Sequence, residues 1–295
     1  MSYDDQPTVI HLNNVHGTAQ DPYIIEYLSF EGFERPNPRP IWLEDCSHIL
    51  IRRIDTRHCT MGLVYALNSN DITVERCRAE NIASEFAGWY LGGETDPARD
   101  GRPWFQNNND CNFWQFDKCY NVTVRDVKGR YGQTEDVGSL YTSHDALIER
   151  FQWQGGIALD QPTSDDSPST MWSSSSGTGH ILGDNGGYNL TVRDSSFLDA
   201  GQVCIQHGGG QDCTFDNCVA YGTGYTTQGW NTGATTWAGT PPMTGHKFLD
   251  CRVQYFKENG DSNPVWFDPS AETPETTGSV FGDGTLVRDD YIVTL

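Results

Sequence analysis

The chain has 295 residues, with 40 acidic side chains against 19 basic, a formal net charge of −21 and 36% hydrophobic content. That length buries a large core, in one elongated domain or two compact ones. No run of ~18 apolar residues occurs, which excludes a helical membrane span. With 27 Asp, 13 Glu, 15 Arg and only 4 Lys, the chain is a poor partner for nucleic acid, whose phosphates need clustered cations. The same bias fits a halophilic source and an ordinary acidic secreted or viral protein equally well.

From the N-terminus, Met1 to Asp21 has neither a basic n-region nor an apolar h-region, so no secretory leader is visible. The expectation is an intracellular or viral chain, or one that begins after a removed leader; the site chemistry below favours the extracellular space or a virion surface. Residues 1–22 are expected to cap an open edge, and Tyr23 to Phe33 reads as a first, weak rung. A short strand motif, apolar-any-apolar-any-polar and often Cys, then starts at Ile49, Ile72, Val122, Ala146, Leu190, Cys213 and His246. Near-strict alternation in all of these copies predicts half-buried strands. The starts lie about 23 residues apart, or that spacing plus an insertion, which is too short for a helix-pair repeat and matches one coil of a parallel β-solenoid. Just before the strands stand His48, Asp71, Asn121, Asp145, Asn189, Asp212 and Gly245; Asn, Asp and Gly tolerate the left-handed bends that turn a coil from one sheet to the next. The Asn-x-Thr sequons at Asn121 and Asn189 are therefore read as turn chemistry rather than glycosylation.

Nine cysteines, an odd number without a CxxC pair, argue against a disulfide framework or zinc. Cys77, Cys218 and Cys251 share one phase of the repeat, and Cys46 and Cys119 another, so they read as small buried ladder residues.

Three insertions, 85–112, 157–178 and 224–243, enter at one phase of the repeat and so should leave the solenoid on one side, walling a groove. They carry Trp89, Trp104, Trp172, Trp230 and Trp237, with Tyr225 beside them. Flat aromatic faces with polar edges suit stacking on sugar rings, and the competing reading is that these rings pack as small loop cores. Between the walls lie Glu135 and Asp136, then Asp184 and His207, which we take as acid/base candidates. Tyr141 joins them as a candidate base, whereas Asp145 has the register of a bend residue. A hydrolase needs two carboxyl groups flanking the bond. A lyase or epimerase instead abstracts a sugar proton and neutralises the substrate carboxylate with Arg or a cation such as Ca²⁺. No metal site is read from the sequence, and Ca²⁺ is the one cofactor left open. Asn259 to Leu295 reads as a C-terminal cap or an oligomer contact.

The Asn-x-Thr-Val-Arg-Asp rungs at Asn121 and Asn189, Asp216-Asn-Cys-Val-Ala-Tyr221 and the early Gly17-Thr-Ala-Gln-Asp-Pro-Tyr-Ile-Ile25 resemble right-handed parallel β-helix proteins. Polysaccharide lyases, mannuronan C5-epimerases, β-helical glycosidases and phage tailspikes share that architecture. The resemblance covers about residues 20–258. It implies an all-β, single-stranded right-handed parallel β-helix over residues 23–258 and a carbohydrate-active protein that binds a polysaccharide and cleaves or modifies it. The Asp-Pro-His sequence of the epimerases is absent, with Thr142-Ser143-His144 in a loosely similar place. The alternative is a non-catalytic surface or viral fibre protein whose loops make receptor or homo-oligomer contacts.

Overall fold

The computed structural model describes residues 8–31, 39–57, 59, 62–80, 82, 112–132, 136–155, 178–200, 203–223, 232–257 and 260–295. Each coil contributes three short strands, one to each of three parallel faces. Val64–Leu67, Asn70–Glu75 and Arg78–Glu80 make one coil, and Trp114–Asp117, Tyr120–Arg125 and Lys128–Gly132 the next. The first and second faces form one 16-stranded sheet, because the long strand Val203–Asp216 runs across both; the third face is a separate 9-stranded sheet. Every pairing between the described strands is parallel, so the protein is a parallel β-helix.

The strand motif read from the sequence is the second face. Ile49 pairs with Ile72, Ile72 with Val122, Val122 with Ala146, Ala146 with Leu190, and Leu190 with Cys213. These side chains point inward and are all buried. The bends before this face carry positive φ at every expected position: His48, Asp71, Asn121, Asp145, Asn189, Asp212 and Gly245. A second row of left-handed residues, Arg53, Arg76, Asp126, Arg150, Asp194, Asn217 and Asp250, ends the same strands. Several of these are Arg, a type with no intrinsic preference for that region, and at Arg150 the side chain is held by Asp126 at 2.7 Å.

The buried thiols follow the bends. Cys46, Cys77, Cys119, Cys218 and Cys251 each point Sγ–H at the carbonyl two residues earlier. Ser69, Ser143 and Ser195 make the same bond with a hydroxyl at equivalent corners. All the described cysteines are free and buried, and burial pushes the Cys77, Cys119 and Cys213 thiols up to about 12. Cys111 lies outside the described residues.

On the outside of the second face the register aligns Arg52, Glu75, Arg125, Glu149, Arg193 and Asp216 in a row of alternating sign. Arg125 meets Glu75 and Arg193 meets Glu149, both at 2.6 Å. Each pair on a half-exposed Arg adds ~0–1 kcal/mol, but a one-rung slip would set like charges side by side, so the row also fixes register.

The ends differ from the expected boundaries. Thr8–Asn13 is already a first-face strand, pairing with Arg39–Glu44. Val265–Phe267 and Val280–Phe281 add strands beyond residue 258, and the final segment then runs back over the third face. Arg252 holds Asp283 at 2.8 Å, Arg288 holds the buried Asp199, the Val293 amide donates to Gln154 Oε1 at 3.2 Å, and Lys128 reaches the Thr294 carbonyl at 2.9 Å.

Candidate functional site on the first face

In sequence, the three insertions each begin after a third-face strand and lead to the next first-face strand, and most of the expected insertion 224–243 is itself that strand, Thr232–Thr244. Arg78–Glu80 precedes Trp114–Asp117, Gln152–Gly155 precedes Thr178–Leu182, and Val219–Thr223 precedes Thr232–Thr244. The first face therefore borders all of them. Trp89, Trp104, Trp172, Tyr225, Trp230 and Glu135 lie outside the described residues. Trp237 is described, stands on a first-face strand and is 48% exposed.

Alternation along the first face separates inward from outward side chains. Inward go Trp114, Phe116, Leu140, His180, Leu182 and His207, all wholly buried. Outward, one register row runs through Trp42, Tyr65, Gln115, Ser139, Ile181, Gln206, Thr235 and Trp266. This row is polar at its centre, yet Gln115, Ser139, Gln206 and Thr235 are all buried. Ser139 has no exposed surface and its hydroxyl has no hydrogen-bond partner among the described residues. A buried hydroxyl left unpaired is costly in an apolar setting, by ~1–3 kcal/mol, and is the sort of group a ligand satisfies.

Two residues further along the strands lies a second outward row, in which Glu44 pairs with Leu67, Leu67 with Asp117 and Asp117 with Tyr141. Tyr141 ends the strand Asp136–Tyr141, and Asp184 sits in the turn after Thr178–Leu182, where its carbonyl accepts the Thr142 amide at 3.1 Å. The Tyr141 hydroxyl donates to the Asp184 carboxylate. Burial pushes the Asp184 carboxyl up from the ordinary Asp range, and the bonds from Tyr141 and the Asn185 amide only partly oppose that. Burial likewise raises Asp117, with Lys118 acting against it. One rung thus separates Asp117 from Tyr141 and the next brings Asp184, so the two carboxyl groups flank a tyrosine across roughly 9.5 Å of backbone, twice the strand spacing.

Of the acid/base candidates read from the sequence, the structure brings Tyr141 and Asp184 together. Asp136 stands at the other end of the Tyr141 strand, roughly 16 Å away along an extended chain, with its amide donating to Asn112 Oδ1. His207 is a correction. It points into the coil, against Phe215, Phe248 and His246 at ring distances of 5.1, 4.6 and 4.6 Å. Burial, and next to it His246, hold its pKa well below the usual histidine range; a ring sealed in the core reaches no polymer outside it. The three glycines after it had suggested an open site, but they carry the long strand across the corner: a Cβ at Gly210 would lie 2.0 Å from the Gly187 carbonyl oxygen. Asp117 was missed, although the strand ruler would have found it, since it precedes Asn121 by the interval that separates Tyr141 from Asp145.

Among the described residues no group of three or more His, Cys, Asp or Glu side chains is placed to hold a metal ion. The described part of the site is built of carboxyl groups, a tyrosine and amide or hydroxyl donors.

No family model and no curated protein matches the chain. Among solved structures, an alginate lyase from Paenibacillus sp. str. FPU-7 is similar over 93% of this chain and 94% of its own, at 9% identity and a TM-score of 0.43. The catalytic domain of a GH87 α-1,3-glucanase, solved with nigerose, is similar over 91% of this chain and 56% of its own, at 12% identity and a TM-score of 0.32. Likeness at that level carries nothing about chemistry. Fold and surface together define the class: a parallel β-helix protein with a polar, partly buried first face. What that face does is argued from its own residues.

Proposed function

We propose that the protein binds a polysaccharide across its first face and cleaves it by general acid–base catalysis. The observation that carries this reading is the Tyr141–Asp184 hydrogen bond on the outside of the solenoid, with the Asp184 carboxyl raised by burial. A carboxyl group with a raised pKa keeps its proton toward neutral pH and can protonate a glycosidic oxygen. Asp117, two rungs away, is the second carboxyl group, and Tyr141 stands between the two and positions Asp184. Trp237 offers an exposed ring for a sugar face. Polymer substrates of this kind lie outside cells, so an extracellular or virion-surface location is part of the proposal.

The test is a screen of purified protein against a broad panel of polysaccharides, following new reducing ends and ultraviolet absorbance, with Asp184→Asn as the control. Activity in the parent and its loss in a folded Asp184→Asn variant is the expected result. Neither turnover nor binding across the panel would reject the reading and favour a fibre protein.

A further inference from the structure

We propose that Cys218 and Cys251 are a disulfide-forming pair, a covalent clasp that closes the coil carrying Trp237 when the chain folds under oxidising conditions. The residues that precede the third-face strands stack at one corner of the core. Val219 pairs with Arg252, so Cys218 and Cys251 stand on adjacent rungs of that corner, and the Arg252 amide donates to the Cys218 carbonyl at 2.9 Å. Other described corner cysteines have other neighbours. Ser69 lies between Cys46 and Cys119, its hydroxyl accepting the Cys46 amide at 2.9 Å. Cys77 precedes Arg78, whose next-rung partner Lys128 follows Val127, and Cys213 stacks on Leu190.

Neighbouring strands of a sheet lie about 4.8 Å apart, inside the span of roughly 4.4–6.8 Å between Cα atoms that a disulfide bridges. Both side chains point into the core and have no exposed surface. The Cys251 Sγ leans back over the preceding rung, 3.4 Å from the carbonyl oxygen of Phe215, which belongs to the coil of Cys218. The two thiols are close enough to share a hydrogen bond. The Cys218 Sγ lies 3.5 Å from the Val192 carbonyl oxygen, so linkage takes a rotation about its Cα–Cβ bond, away from that oxygen and toward the Cys251 sulfur. The clasp also has something to hold. The strand between the two cysteines, Thr232–Thr244, shifts register twice against Val203–Asp216, whereas the second-face strands keep theirs from coil to coil. Register that pairing alone specifies weakly is prone to slip, and a cross-link enclosing that strand restricts the unfolded chain.

The step balances with a disulfide oxidant, such as oxidised glutathione, as the co-reactant. One cysteine thiolate attacks a sulfur of the oxidant, a mixed disulfide forms, and the oxidant's sulfur–sulfur bond breaks to release its first thiolate. The second cysteine thiolate then attacks the protein sulfur of the mixed disulfide. The Cys218–Cys251 bond forms and the second oxidant thiolate leaves. Two electrons pass from the cysteine pair to the oxidant, and the two cysteine protons end on the two released thiols. Since neither thiol is exposed in the folded chain, the exchange takes place before this corner closes.

The experiment uses the full-length chain produced in a reducing and in an oxidising expression host. Folded protein from each is denatured in an alkylating reagent and mapped by mass spectrometry without reduction. The reducing preparation should alkylate at all nine cysteines, and the oxidising one at two fewer, with a single cross-linked peptide pair joining Cys218 to Cys251. The linked form should also melt higher, by roughly 5 °C. Cys218→Ser is the control, because Ser195 fills the same corner one rung earlier with a hydroxyl; its two preparations should melt together. Nine alkylated cysteines in folded protein from the oxidising host, or a bond joining any other pair, would overturn the inference, as would a linked pair that leaves the melting temperature unchanged.

Discussion

His180 gives the sharpest prediction about stability. Its ring is wholly buried on the inner side of the first face, with neither nitrogen in a hydrogen bond, against Trp114 at 5.8 Å and Phe197 at 5.9 Å. Burial brings its pKa down from 6.5 to about 3. The unfolded chain takes up the proton near the higher value and the folded chain resists it until the lower one. Across that window the unfolded state binds more protons, so stability is full above the unfolded pKa and falls as pH drops toward the folded one. Over the whole window the loss is about 5 kcal/mol, and roughly 3 kcal/mol of it falls between pH 8 and pH 4. His180→Leu removes the titration. At pH 8 it also removes two unpartnered polar atoms, a gain of ~1–3 kcal/mol offset by imperfect packing of similar size. The variant should therefore lie within ~2 kcal/mol of the parent at pH 8 and gain about a further 3 kcal/mol on it at pH 4. Urea unfolding followed by tryptophan fluorescence at the two pH values measures both. His207 and His246, also depressed by burial, are present in each protein, so the difference isolates His180. Equal losses in parent and variant would refute the reasoning.

Three further outcomes are expected. Tyr141→Phe removes a bond that lowers the Asp184 pKa, so the alkaline limb of a pH–rate profile should move to higher pH, and an unchanged limb would sever the link between the two residues. Cys119→Ser should change the free energy of urea unfolding by no more than ~1 kcal/mol, since Ser69 and Ser143 fill equivalent corners with the same bond; the described thiols should stay inert to an aromatic disulfide reagent until the chain unfolds. Arg288→Ala strands the Asp199 carboxylate, whose side chain is 3% exposed, and should lower stability by ~3–5 kcal/mol in thermal or urea unfolding; an unaltered transition would mean that the tail does not fasten the third face.

The solenoid was legible because its constraints repeat. Each second-face strand needs two inward apolar residues and a left-handed residue before it, so one ruler finds Ile72, Val122 and Leu190 along with Asp71, Asn121 and Asn189. The first face was hidden because its outward row mixes Trp42, Gln115, Ser139 and Ile181, with no shared type to reveal the register. His207 was misplaced for a related reason: beside glycines, a histidine reads as exposed, and nothing in the sequence says that this strand crosses from one face to the next and turns the ring inward. Asp184 and Tyr141 were both found, but their contact depends on a bend whose geometry only the fold supplies. The C-terminal tail was read as an end cap because its partners, Asp199, Gln154 and Lys128, are scattered over earlier coils.

The three faces also differ in how their polar groups are satisfied, and this difference locates the function. On the second face Arg and Glu neutralise one another along the row, leaving that surface self-sufficient. On the third, Asp199 and Gln154 take their partners from the returning tail. The first face has a buried outward row of Gln, Ser and Thr, a hydroxyl at Ser139 with no partner, and carboxyl groups at Asp117 and Asp184 kept protonatable by the same burial. Folding alone would favour apolar residues there, as it does at the neighbouring Ile181. Of these, the Ser139 hydroxyl is the group that burial makes expensive and the described residues leave without a partner.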